Sequence, residues 1–166
     1  MAKKKYNTDE IKERLVGYNN LRKRLINKSN RLAAMPKVKA SEPSGLKERE
    51  IEKRIALETT INFLIKREIE EREYLESIVE ELQDPNQQTV IEMRYFDEAD
   101  WATVCSVIFS DKEDYIDNHE KYERYTYRIH GNALAELYKI VHKEETAEDQ
   151  YKASGRLSNK LKEKEA

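Results

Sequence analysis

The chain has 166 residues, 39% of them charged and 38% in the aliphatic and aromatic set, with a net charge of −2 and an isoelectric point near 6.0. Only four Gly and three Pro stand among many helix formers, which argues against a turn-rich β architecture and predicts an all-α fold of one or two small domains. One cysteine cannot form an intramolecular disulfide, and no run of about 18 apolar residues is present to cross a membrane.

Charge is unevenly placed. Residues 1–39 hold 12 Lys plus Arg against 3 Asp plus Glu, residues 40–100 hold 8 against 17, and residues 101–166 hold 11 against 13. The opening MAKKKYNTDE is basic but has no apolar segment behind it, so it does not read as a secretory signal. Its Lys3, Lys4 and Lys5 can attract phosphate, or pair with the acidic helix that follows; both alternatives stay open.

Asn7, with Glu10 three positions on, predicts the start of a long helix through a capping box. Ile11, Leu15, Tyr18, Leu21, Leu25 and Leu32 recur at helical spacing, and the helix is expected to end near Ala34, before Pro36. Met35 to Gly45 (MPKVKASEPSG) reads as a linker. From Leu46 to Leu82 no breaker interrupts a second helix, which could extend about 55 Å at 1.5 Å per residue. Its expected apolar stripe is Ile51, Ile55, Ile61, Ile65, Ile69, Leu75, Val79 and Leu82. So long a helix needs a partner, supplied by the first helix in an antiparallel hairpin, by a second copy of the chain, or by both. Residues 1–83 are therefore taken as a helical hairpin for interaction or dimerisation.

Asp84 and Pro85 predict the cap and first position of a short helix. Asp97-Glu98-Ala99-Asp100 breaks it, and Asp100 is expected to cap another helix from Trp101 to about Phe109. Trp101 is expected to anchor a small core beside Phe96 and Leu134, with Cys105 as a small core residue. The acidic stretch Ser110 to Glu120 (SDKEDYIDNHE) intervenes before a third helix, from about Lys121 to Val141. Beyond it, residues 143–166 lose the helical period and read as a polar, flexible tail, which could hold one last short helix from Ser158 onward.

Catalytic signatures are lacking. His119, His130 and His142 lie 11 and 12 residues apart, unlike the i, i+4 pair of a helical metal site. No Gly-rich phosphate loop and no Gly-x-Ser-x-Gly elbow occurs. The expectation is a non-enzyme with no catalytic residues, cofactor or metal.

Binding chemistry concentrates on the third helix. If Ile129, Ala133, Leu137 and Ile140 face the core, then Lys121, Arg124, Tyr127 and Arg128 lie on the opposite side. Arg can grip a guanine edge, Lys can neutralise phosphate and Tyr can reach phosphate or stack. The blander alternative pairs Arg124 and Arg128 with Glu120 and Glu123, and puts Tyr125 and Tyr127 in the core. Three short helices so patterned can form a helix-turn-helix, whose later helix enters the major groove.

The run QTVIEMRYFDEADWATV followed by YRIHGNALAEL resembles region 4 of bacterial sigma factors. It is more specifically similar to phage late-gene transcription regulators of the ArpU and RinA type. The matching residues are Met93 to Phe96, Trp101 and Arg128 to Leu134, in about a third of the chain. Such domains turn tightly between their last two helices, whereas here residues 110–120 intervene. The resemblance implies a DNA-binding domain over residues 84–142 and a cytoplasmic activator of late genes in a bacterial host. Double-stranded DNA is then the main partner, with host RNA polymerase and a homodimer as further ones. Two other functions fit the residues. One is a DNA-packaging protein of the small-terminase kind, although those usually place their DNA-binding helices first. The other is a protein-interaction adaptor without DNA binding, which the acidic middle of the chain favours.

Overall fold

The computed structural model describes residues 8–37 and 44–165. The Lys3–Lys5 arm, the Asn7 cap and most of the expected linker lie outside them. The described residues are helical, without a strand: α1 (Thr8–Ala33), α2 (Ser44–Glu80), α3 (Pro85–Ile91), a π-helical turn (Glu92–Phe96), α4 (Trp101–Phe109) and α5 (His119–Glu165). The fold is thus all-α, a long N-terminal helical pair followed by a helix-turn-helix-like arrangement. One compact unit spans Glu13–Ser77, and the other joins the segment ending at Lys12 to the chain from Ile78 onward.

In the first unit α1 and α2 run antiparallel. Arg14 bonds Glu71, and Tyr18, one turn further along α1, bonds Glu68, one turn back along α2. The face of α2 that meets α1 therefore contains Glu68 and Glu71. Leu57, Ile61, Leu64 and Leu75 continue that face in alternating steps of four and three, the knobs-into-holes spacing of a coiled coil. Leu15, Tyr18 and Leu21 are the buried residues of α1 in this unit.

The expected stripe on α2 needs correction. Ile61, Leu75, Val79 and Leu82 are buried, but Ile51, Ile55, Ile65 and Ile69 are 48%, 56%, 40% and 38% exposed. Leu57, Leu64 and Ile78 are buried in addition. The helix carries two apolar faces about 120° apart, and a stripe drawn through every isoleucine mixes them, because successive residues advance about 100°.

A polar pair lies on the buried face. The Tyr18 hydroxyl donates to Glu68 Oε1 at 2.8 Å, and Arg72 Nη1 lies 3.4 Å from the same oxygen. Burial, and then the bond to Glu68, push the Tyr18 hydroxyl up to about 12. Arg14 grips Glu71 through Nε at 2.7 Å and Nη2 at 3.3 Å, and its guanidinium lies 4.0 Å from the Tyr74 ring centre.

In the second unit Val90, Ile91 and Tyr95 come from α3 and the π-helical turn, and Val104 and Cys105 from α4. They are buried together with Tyr122, Thr126, Ala133, Leu134 and Leu137 of α5, against which α3 and α4 pack. Ile11, Ile78, Val79 and Leu82 add buried residues from the ends of α1 and α2 and the turn beyond. Asp84 caps α3 by accepting from the Asn86 N–H at 2.9 Å, with Pro85 at the first helical position. Gln88 Nε2 donates to the Leu82 carbonyl at 2.8 Å and to the Glu80 carbonyl at 3.3 Å, the latter an acceptor that the end of α2 leaves unsatisfied. The turn into α4 puts Glu98 at φ 55°, the left-handed region, where glycine is at ease and other residues are strained.

α5 corrects the expected tail. The helix starts at His119 and does not end near Val141; its backbone continues to Glu165. Residues 142–165 contain no Pro, and Ala, Glu, Lys, Leu and Arg carry little helix penalty even where no apolar period shows. Loss of an apolar stripe is not loss of helix.

Two outcomes follow for stability. Tyr18→Phe and Glu68→Leu each strand a buried polar group and should cost about 1–3 kcal/mol, whereas the double variant should recover most of the loss. Urea unfolding of the three proteins checks this, and strictly additive losses would show that the two side chains are not coupled. Glu98→Gly should raise stability by about 1 kcal/mol, since it relieves the left-handed backbone; an unchanged or lower melting temperature counts against that strain.

Candidate nucleic-acid interface

The start of α5 is fixed in rotation by aromatic packing. Phe109 at the end of α4 lies tilted against Tyr122, with ring centres 5.0 Å apart, and 6.2 Å from Tyr125. Buried Thr126 donates to the Tyr122 carbonyl at 2.9 Å. Tyr122, Thr126, Ala133 and Leu137 are buried, and Ile129 and Ile140 are half-buried. Helical geometry then turns Arg124 and Arg128 outward, and both are exposed.

The four sequence candidates occupy different settings. Arg124 and Arg128 form no ion pair among the described residues, so the alternative pairing with Glu120 and Glu123 is not seen. Arg128 lies 5.8 Å from the Tyr125 ring centre. Lys121 is half-buried, and its Nζ is 3.7 Å from Asp114 Oδ2, so an incoming phosphate has to compete with that carboxylate. Tyr127 is 48% exposed, and its ring meets Trp101 edge-on at 4.9 Å. Tyr125, at 36% exposure, also lies outside the core. The two arginines share one open face; Lys121 is held back by the acidic segment, and Tyr127 leans toward α4.

Residues 110–118 form a series of turns tied to α5. The Tyr122 hydroxyl donates to Asp114, and Asn118 Nδ2 donates to the same carboxylate at 3.0 Å. The bond from Tyr122 holds the Asp114 carboxyl below its usual range, and that bond raises Tyr122 to about 12. The Tyr115 ring adds contacts to His119 and Tyr122. Asp111, Glu113 and Asp117 remain exposed.

Trp101 differs from its expected place as a core anchor. It is half-buried, edge-on to His130 at 5.0 Å and to Tyr127, with the Arg94 guanidinium 4.5 Å from its ring centre. Arg94 Nη1 also donates to the Ala99 carbonyl at 2.9 Å. Asp100 caps α4, accepting from the Thr103 N–H at 2.8 Å and from its hydroxyl at 2.6 Å. Trp101 thus fastens the turn between the π-helical segment and α4 to the outer edge of α5. The sequence reading passed over Arg94; its place in MRYF beside the only Trp, one turn from a break, was the available signal.

His130 shares a 2.8 Å hydrogen bond with the Tyr95 hydroxyl. Burial, followed by the positive charges of Lys12 and Arg94, lowers its imidazole to about 4 from an ordinary 6.5. Below 6.5 the unfolded chain takes up a proton that the folded chain refuses, so stability falls as pH drops from 6.5 to about 4. Asp100 and Asp114 are also held below the usual carboxylate range, so their contributions are lost only at more acid pH. Melting temperature should therefore decline between pH 6.5 and 4, and His130→Gln should flatten that decline. An equal slope in the variant would assign the acid sensitivity to other groups.

Among the described residues no three His, Cys, Asp or Glu side chains gather as metal ligands. No described helix is long and apolar enough to cross a membrane. Comparison with protein-family models, with curated proteins and with solved structures finds no match to this chain.

Proposed function

We propose that the protein is a sequence-specific, double-stranded DNA-binding transcriptional regulator that presents the first turns of α5 to the major groove. The observation that carries this is the exposure of Arg124 and Arg128 on one face of a helix whose opposite face is locked by Tyr122, Thr126 and Ala133. Two exposed guanidinium groups one turn apart, with no ion pair among the described residues, suit base-edge and phosphate contacts. The resemblance of MRYF, Trp101 and RIHGNAL to sigma region 4 and to ArpU- and RinA-type regulators supports the same function, and with it late-gene activation in a bacterial cytoplasm through host RNA polymerase. Lys121 and Tyr127 take supporting roles, phosphate neutralisation after release from Asp114 and an edge contact beside Trp101. Asp111, Glu113 and Asp117 repel phosphate and so have to lie away from the duplex.

Titration on fragments selected from the surrounding genome, at several salt concentrations, tests this function. Arg128→Ala should lose about 1–3 kcal/mol on the selected site and much less on scrambled DNA. The plot of log affinity against log salt should flatten by roughly 0.9 for each phosphate contact removed. Equal affinity for both sequences would leave a nonspecific binder, and absence of salt-dependent binding near physiological ionic strength would favour an adaptor.

A further inference from the structure

The outward face of α2 has a pattern of its own. Glu48, Ile51, Ile55, Glu58, Asn62, Ile65, Ile69 and Arg72 follow one another in alternating steps of three and four. This is a coiled-coil seam of about three and a half heptads, roughly 36 Å of helix. All but half-buried Arg72 are exposed, and four are isoleucines. α1 does not cover them, because its partner face on α2 carries Glu68 and Glu71. Exposed isoleucines at coiled-coil spacing mark a place where another helix docks.

The order of residues names that helix. Read from either end toward Thr60, the seam is a charge, an isoleucine, an isoleucine and a polar residue with a carboxylate or amide. We infer that a second copy of the chain packs its α2 antiparallel on this face, in the register where facing residue numbers add to 120. Glu48 then faces the partner's Arg72, Ile51 faces the partner's Ile69, Ile55 faces the partner's Ile65, and Glu58 faces the partner's Asn62. A two-fold axis beside Thr60 generates the reciprocal four layers, as an isologous interface requires. Every layer is complementary: two ion pairs, four isoleucine layers and two carboxylate–amide layers.

Neighbouring charges agree. Glu52 and Lys66 flank the seam on its solvent side, and the same register brings each beside the other's counterpart, with Thr59 meeting Thr59 at the axis. A parallel, in-register pair does the opposite. It stacks Glu48 on Glu48, Glu58 on Glu58 and Arg72 on Arg72 inside the seam, where uncompensated like charges are strongly unfavourable. A different helical partner would have no reason to match the near-palindrome in this chain. The interface stands independently of DNA binding, and its test does not read DNA.

The full chain should run as a dimer in light scattering and equilibrium sedimentation. Ile65→Asp should convert it to a monomer while keeping its far-ultraviolet helical signal, since Ile65 does not face α1. Glu48→Arg alone places like charges opposite one another and should weaken the dimer at least tenfold; Arg72→Glu does the same and also removes the 3.4 Å contact to Glu68, so a retained far-ultraviolet helical signal is required of it first. An equimolar mixture of these two variants restores both ion pairs and should dimerise like the original. Oxidation should cross-link Ile55→Cys with Ile65→Cys when the two are mixed, and should not cross-link Ile65→Cys with itself. A monomer throughout, self-linked Ile65→Cys, or no recovery on mixing the charge variants would each overturn this interface.

Discussion

Placement of Glu68 on the buried face of α2 constrains most of the N-terminal unit. A carboxylate in an apolar seam is tolerated only with partners, and here Tyr18 at 2.8 Å and the more distant Arg72 provide them. The pair can form in one register only, because one residue of slippage moves Tyr18 off the acid. Arg14 on Glu71, one turn further along, repeats the constraint at the partly exposed edge. Apolar residues alone would pack in several registers; the acid selects one and gives up some stability for it. By fixing which face of α2 meets α1, it also fixes which face is left outside.

A comparable division holds at the start of α5. Tyr122 is buried at one side and bonded through its hydroxyl to Asp114 at the other. It therefore sets the helix rotation and anchors the acidic segment with one side chain. Rotation by one residue, about 100°, would carry Arg124 and Arg128 away from their shared open face. The tyrosines of KYERYTYRIH are thus unequal: Tyr122 is core, whereas Tyr125 and Tyr127 cover the edge where α4 meets α5.

Much of this architecture was legible because it rests on local rules. Asp84-Pro85 and Asp100-Trp101 start helices in the structure at the predicted residues, since a capping carboxylate and a favourable first position are near-neighbour effects. Ile11, Leu15, Tyr18 and Leu21 are buried because α1 has one apolar face and period alone identifies it. α2 has two, and its isoleucines read as a single stripe although Leu57 and Leu64 are the buried residues. Choosing between those faces needed Glu68 and Glu71, which a search for apolar residues skips. The continuation of α5 was hidden for the converse reason, since polar helix formers sustain a helix without showing an apolar period. At the candidate interface the exposure of Arg124 and Arg128 followed from period, whereas the Asp114 contacts depend on the path of a turn segment that no period encodes.

The two proposals meet in symmetry. Under the proposed function, an isologous α2 seam would bring two copies of α5, each with a reading face, into one particle. The cost of ordering is shared as well, since the second α5 binds at an effective concentration set by the first. Each half-site can then be weak while the full site is strong. That arrangement suits the proposed reading face, whose two exposed arginines are few beside the contacts that specific regulators make. Under the proposed function a reading face this small gains from being doubled, whereas the α2 seam rests on its own residues and stands without it.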